Sequence, residues 1–93
     1  TGLGGQLNYD LAAKWYSASA DQGQPVAQFL LGQLYQLGHV GKEPDYAEAK
    51  KWYAAAQKVN AKAAVALGFI YDTVDDNYIK AIDSYQLAAN QND

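Results

Sequence analysis

Slid along its own length, the chain matches itself. Asn8-Tyr9, Asp45-Tyr46 and Asn77-Tyr78 each open a segment with an Ala-rich run; Trp15-Tyr16 recurs as Trp52-Tyr53, 37 residues on, and Ser84-Tyr85 follows 32 residues later. Between these segments lie Ala27-Gln28-Phe29-Leu30-Leu31-Gly32-Gln33-Leu34-Tyr35 and Ala63-Ala64-Val65-Ala66-Leu67-Gly68-Phe69-Ile70-Tyr71, which share Ala, Leu-Gly and Tyr at the same places. A period of this size marks a stacked array, because one unit cannot bury its own apolar face and needs a neighbour to cover it. Two different strings alternate, so each unit is two different helices.

The helical reading follows from spacing. Ala27, Leu31 and Tyr35 fall four residues apart, as do Ala63, Leu67 and Tyr71, which puts each trio on one helix face. Gly32 and Gly68 adjoin those stripes. Glycine inside a helix costs on the order of 1 kcal/mol against Ala, so its recurrence at one register predicts a neighbouring helix too close for a side chain. Asn8, Asp45 and Asn77 can cap helix starts through a side-chain oxygen, with Glu48 completing a capping-box-like pair with Asp45. Gly23 and Gly38 suit helix ends, while Pro25 and Pro44 suit the residues at or just before the next start. Five helices are predicted, over 8–22, 25–37, 45–58, 61–73 and 77–91, and the short connections make neighbours antiparallel.

Composition narrows the function classes. Ninety-three residues allow one domain, and the 49% hydrophobic content argues for folding, with much of it Ala suited to close helix contacts. Ten acidic against seven basic residues give a net charge of -3 with no basic stripe, which argues against nucleic acid as a partner. No window approaches the roughly 20 apolar residues that cross a bilayer, so no membrane insertion is expected. The lack of Cys removes disulfides, thiolate metal sites and Cys nucleophiles. A chain that starts at Thr1 and contains no Met reads as a fragment of a longer array.

The string Ala12-x-x-Trp15-Tyr16-x-x-x-Ala20-x-x-Gly23-x-x-x-Ala27-x-x-x-Leu31-Gly32-x-x-Tyr35-x-x-Gly38, followed by Asp45-Tyr46-x-x-Ala49, resembles the Sel1-like repeat, a relative of the tetratricopeptide repeat. The resemblance covers nearly the whole of residues 1–93 as a single segment: 8–44 as repeat one, 45–76 as repeat two, and 77–93 as the first helix of a third. The sequence departs from the family in its loops. The second loop, Asp72 to Asn77, has no glycine, and Tyr71 to Tyr78 spans 7 residues where Tyr35 to Tyr46 spans 11. Asn60 stands where Gly23 stood.

The resemblance implies an all-α, right-handed superhelix of antiparallel helix pairs, an α-α solenoid. It also implies a non-catalytic adaptor or scaffold that binds a partner protein or peptide, in a bacterial periplasmic or secreted setting. The alternatives are an architectural spacer within a longer array and an envelope glycan or peptidoglycan-associated module. By the same resemblance, helices 25–37 and 61–73 line the concave face. Val26, Phe29, Gln33 and Gln36 on one helix and Lys62, Val65, Phe69 and Asp72 on the other then point toward a partner. Phe29 and Phe69 are the anchor candidates, since an apolar ring left facing water contributes only when a partner buries it. An open apolar groove favours the scaffold; buried Phe29 and Phe69 favour the spacer.

The other conspicuous residues read as structural. Trp15, Tyr16, Trp52, Tyr53 and Tyr85 hold a fixed register that inter-helix packing explains, and Tyr9, Tyr46 and Tyr78 are expected to pack between repeats. His39, the single His, sits in a Gly-flanked loop without a nucleophile beside it and reads as solvated. Asp72, Asp75 and Asp76 lack the alternating ligands and closing Glu of a calcium loop, and Gly2, Gly4 and Gly5 lack the strand and Lys-Ser/Thr of a phosphate loop. No catalytic residue, metal site or cofactor is assigned.

Overall fold

The computed structural model describes residues 9–41 and 43–91, so the expectations placed on Asn8 and on Gly2, Gly4 and Gly5 lie outside the described residues. The described chain forms five helices and no strand: α1 (Tyr9–Asp21), α2 (Pro25–Gln36), α3 (Tyr46–Ala56), α4 (Ala61–Thr73) and α5 (Tyr78–Gln91). Short connections fold each helix back on the one before. Each therefore packs chiefly against its neighbours in chain order, in a body of 41 × 25 × 24 Å.

Local chemistry sets the helix ends. Pro25 occupies the first turn of α2, where its missing amide hydrogen is not needed. Asp45 Oδ1 accepts from the Glu48 amide at 3.0 Å, Asn60 Oδ1 from the Ala63 amide at 3.0 Å, and Asn77 Oδ1 from the Lys80 amide at 3.2 Å. The capping box expected at Asp45 is half formed, because the Asp45 amide donates to the Tyr35 carbonyl at 2.9 Å and not to Glu48. The same clip recurs one unit on, where the Asn77 amide donates to the Tyr71 carbonyl at 2.7 Å. Two loops of different length thus close through one hydrogen bond from the helix cap to the repeat's Tyr. In the shorter loop Asp76 takes φ 52, a left-handed conformation that Asp tolerates better than most residues.

The predicted stripes form the core. Ala20, Ala27 and Leu31 make one buried cluster, with Ala13, Tyr16, Tyr35 and Trp52 packed against it. Ala49, Tyr53, Ala56, Ala63, Leu67 and Ile70 make a second, flanked by Phe29, Tyr35, Ala66 and Tyr71. Tyr35 touches both clusters and ties the units together. The close approach predicted at the glycines is present: a Cβ on Gly32 would lie 2.6 Å from the Tyr53 ring, and one on Gly68 would lie 2.7 Å from the Tyr85 ring. Buried Gln28 donates its amide to the Ala20 carbonyl at 3.2 Å, which satisfies a C-terminal carbonyl of α1.

Several aromatic expectations are corrected. Of the five residues in the Trp-Tyr register, Tyr53 is fully buried and Tyr16 and Trp52 are partly buried, whereas Trp15 is 67% exposed and Tyr85 36% exposed. Trp52 is covered because α1 and α2 stand beside it; among the described residues no helix precedes α1 to cover Trp15 in the same way. Tyr9, Tyr46 and Tyr78, each the first residue of its helix, are also exposed and not buried between repeats. His39 is not a freely solvated loop residue. It is partly buried, and its ring stacks on Tyr9 with centroids 3.7 Å apart and planes within 4°.

Candidate functional site

The residues that could meet a partner lie on α2 and α4, which run side by side in the same direction with α3 behind them. The Ala63-Leu67-Tyr71 stripe of α4 packs with Ala49, Tyr53 and Ala56 of α3, the Ala27-Leu31-Tyr35 stripe of α2 packs with Ala13, Tyr16 and Ala20 of α1 and Trp52 of α3, and the other side of each helix lines a shared concavity. Between them an open groove of about 450 Å³ is lined by Phe29, Gln33 and Gln36 from α2, by Ala61, Lys62, Val65, Ala66 and Phe69 from α4, and by Tyr53 of α3 at its floor. A second concavity continues from the first along Val26, Phe29 and Leu30 to Val59 through Lys62.

Of the eight residues singled out from sequence, six line the groove and Val26 lies in its extension, where it is 62% exposed. Asp72 lies outside both. It stands near the Tyr85 hydroxyl, where burial first and the Asp72 charge second push the tyrosine pKa upward. The two anchor candidates differ. Phe69 is 50% exposed and Val65 48% exposed, while Phe29 is partly buried against the second core cluster, its ring tilted against Tyr53 at 5.9 Å between centroids. Phe29 therefore serves as wall and core together, and Phe69 is the freer ring.

Tyr53, Ala61 and Ala66 entered the groove only with the tertiary structure. Tyr53 had been assigned to packing through its register, and packing it does; its hydroxyl also reaches the groove floor, where it donates to Gln36 Oε1 at 2.6 Å. That bond occupies the Gln36 carbonyl oxygen and leaves the Gln36 amide nitrogen as a donor. Burial pushes the Tyr53 pKa up to about 12, so the hydroxyl stays a donor through the physiological range.

The arrangement suits recognition. The groove holds two phenyl rings, a valine, two carboxamides and one ammonium. Its lining has no acid, His, Ser or Cys to serve as a base or nucleophile. Among the described residues no group of three or more His, Asp or Glu could hold a metal ion, and no helix is long and apolar enough to cross a membrane. The three loop aspartates are separated in role: Asp75 accepts from Lys50 at 2.6 Å, Asp72 lies by Tyr85, and Asp76 makes the left-handed turn.

Away from the groove, Trp15 lines a concavity of about 280 Å³ with Leu11, Lys14 and Ala18, and Lys14 is the one charged side chain there.

The family model for the Sel1 repeat matches at three places, residues 1–24, 25–56 and 61–93. Its second and third units begin with α2 and α4, which makes these the first helices of their pairs. No curated protein and no solved structure matches the chain.

Proposed function

The chain belongs to the Sel1 repeat family, and from that premise we propose that it is a non-catalytic scaffold that receives a partner protein or peptide in the groove between α2 and α4. Sel1 repeats are generally protein-protein interaction modules and typically non-catalytic. The observation that carries the reading is the half-exposed pair Val65 and Phe69 on a helix whose other face is fully buried, opening onto a groove with an apolar wall. Burying a phenyl ring there contributes roughly 1.5 to 3 kcal/mol to association and nothing to folding of the free chain. A periplasmic or secreted bacterial setting is part of the proposal, and fractionation of the source cells tests it.

The spacer reading draws on Phe29, which is partly buried, but it leaves the exposure of Val65 and Phe69 without a role. A glycan-binding reading would rest on Trp15, whose face lacks the ring of polar groups that fixes a sugar's hydroxyls.

The direct test is affinity capture from the source organism with wild type, Phe69→Ala, and Ile79→Ala as a control on the exposed face of α5. The scaffold reading expects a partner kept by wild type and Ile79→Ala and lost by Phe69→Ala. A partner kept equally by all three would move the interaction off the groove, and no partner at all would favour the spacer.

A further inference from the structure

The groove lining is cationic in a chain that is net negative. The whole chain has ten acidic and seven basic residues, yet the lining of the main groove contains no carboxylate and one ammonium, that of Lys62. Lys50 and Lys51 are engaged with Asp75 and Glu48, whereas among the described residues Lys62 has no acidic side chain within salt-bridge distance. Lys62 also lines the adjoining concavity, so the residue stands where the two meet.

The remaining polar groups tilt the same way. The Tyr53 hydroxyl takes up Gln36 Oε1, so Gln36 offers the groove its amide hydrogens. Lys62 sits in the first turn of α4, where the helix end adds positive potential to the ammonium's own. The other walls are Phe29, Val65, Ala66 and Phe69. A ligand that fits this set has apolar side chains for the walls and an anionic acceptor at the Lys62 end.

We infer that the groove between α2 and α4 selects a peptide segment whose apolar side chains lie against Phe29, Val65 and Phe69 and whose Asp or Glu side chain meets Lys62. This rests on the groove being the partner site and adds the partner's chemistry. The acid is drawn to Lys62 because the groove lining offers it an ammonium and holds no carboxylate to repel it.

The test is selection of a random 12-residue peptide library, displayed with both ends tethered so that any carboxylate is a side chain. Selection is run on wild type, Lys62→Glu and Phe69→Ala, followed by titration of the best wild-type peptide and its Asp/Glu→Asn/Gln counterpart. Wild type should enrich Asp or Glu at a fixed offset from large apolar residues. The acidic peptide should bind about three- to fivefold tighter than its amide counterpart, the range of a partly exposed ion pair, and this ratio should shrink at high salt. Lys62→Glu should abolish or reverse the acid preference, and Phe69→Ala should weaken both peptides alike. Peptides that require Phe69 but show no acid preference, or one that Lys62→Glu leaves unchanged, would overturn the inference while keeping the groove. Peptides indifferent to Phe69→Ala, or no enrichment on wild type, would overturn the groove reading and the inference with it.

Discussion

Replacing Gly32 with Ala sets helix propensity against packing at one atom. The added methyl removes glycine's backbone freedom in the middle of α2, a gain of about 1 kcal/mol. Its carbon, however, would lie 2.6 and 2.8 Å from two ring carbons of Tyr53. That is about 1 Å inside the ~3.5 Å at which carbon contacts become attractive. Tyr53 cannot swing away: it is fully buried, its hydroxyl is held by Gln36 at 2.6 Å, and the Phe29 ring lies 5.9 Å off. The α2–α3 spacing has to grow, an overpacking cost of about 1 to 3 kcal/mol and here toward the upper end. The net expectation is a loss of about 1 to 2 kcal/mol once the propensity gain is subtracted. Gly68→Ala is the matched control. Its Cβ would lie 2.7 Å from the Tyr85 ring, but Tyr85 is 36% exposed and can move outward, so the change should fall within about 0.5 kcal/mol of wild type. Urea unfolding followed by circular dichroism at 222 nm measures both. In a Tyr53→Leu background, where the ring is gone, Gly32→Ala should turn neutral or stabilising. A Gly32→Ala chain as stable as wild type, or an equal loss in both backgrounds, would refute the reasoning.

Asp45→Ala should cost about 1 kcal/mol through the lost bond to the Glu48 amide, with Asp45→Asn close to wild type, both read from urea midpoints. The Tyr53 contribution to stability should be fully present below pH 10 and be lost from pH 10 toward 12. Unfolding lets Tyr53 release its proton at its ordinary value while the folded state holds it to about 12, a linkage of ~1.4 kcal/mol per pH unit. Tyr35 and Tyr85, also raised, add to that window, and Tyr53→Phe should lose less stability across it than wild type does. Leu31→Ala should cost about 2 to 5 kcal/mol by opening a cavity under a fully buried side chain, whereas Phe69→Ala should leave the unfolding midpoint nearly unchanged. A large loss for Phe69→Ala would mean that this ring belongs to the core.

The groove was legible in part. Val26, Phe29, Gln33, Gln36, Lys62, Val65 and Phe69 follow from helix periodicity once the family pattern says which helices come first in each pair, and the structure gathers them along one concavity and its extension. Asp72 fails to join because it is the last of its stripe, beyond the end of the groove near Tyr85. Tyr53 was missed as a groove residue because its register marks it as packing. A signal did exist: Gln36 and Tyr53 are both polar at their tips and stand on neighbouring helices that the Gly32 contact brings close.

By itself the sequence determined what depends on near neighbours in the chain. Five helices, the caps at Asp45 and Asn77, the alternation of two helix types and the close approach at Gly32 and Gly68 follow from four-residue spacing, side-chain oxygens at helix starts, and a glycine cost that only tight packing would offset. Tertiary structure decided what each repeated residue meets. Trp15 and Trp52 share a register, yet one is exposed and the other partly covered by α1 and α2. Phe29 and Val65 share another, yet Phe29 leans on Tyr53 and Val65 is half exposed in the groove. Identical local sequence produces identical local structure, while burial belongs to whichever helix lies alongside, and only the assembled stack specifies that helix.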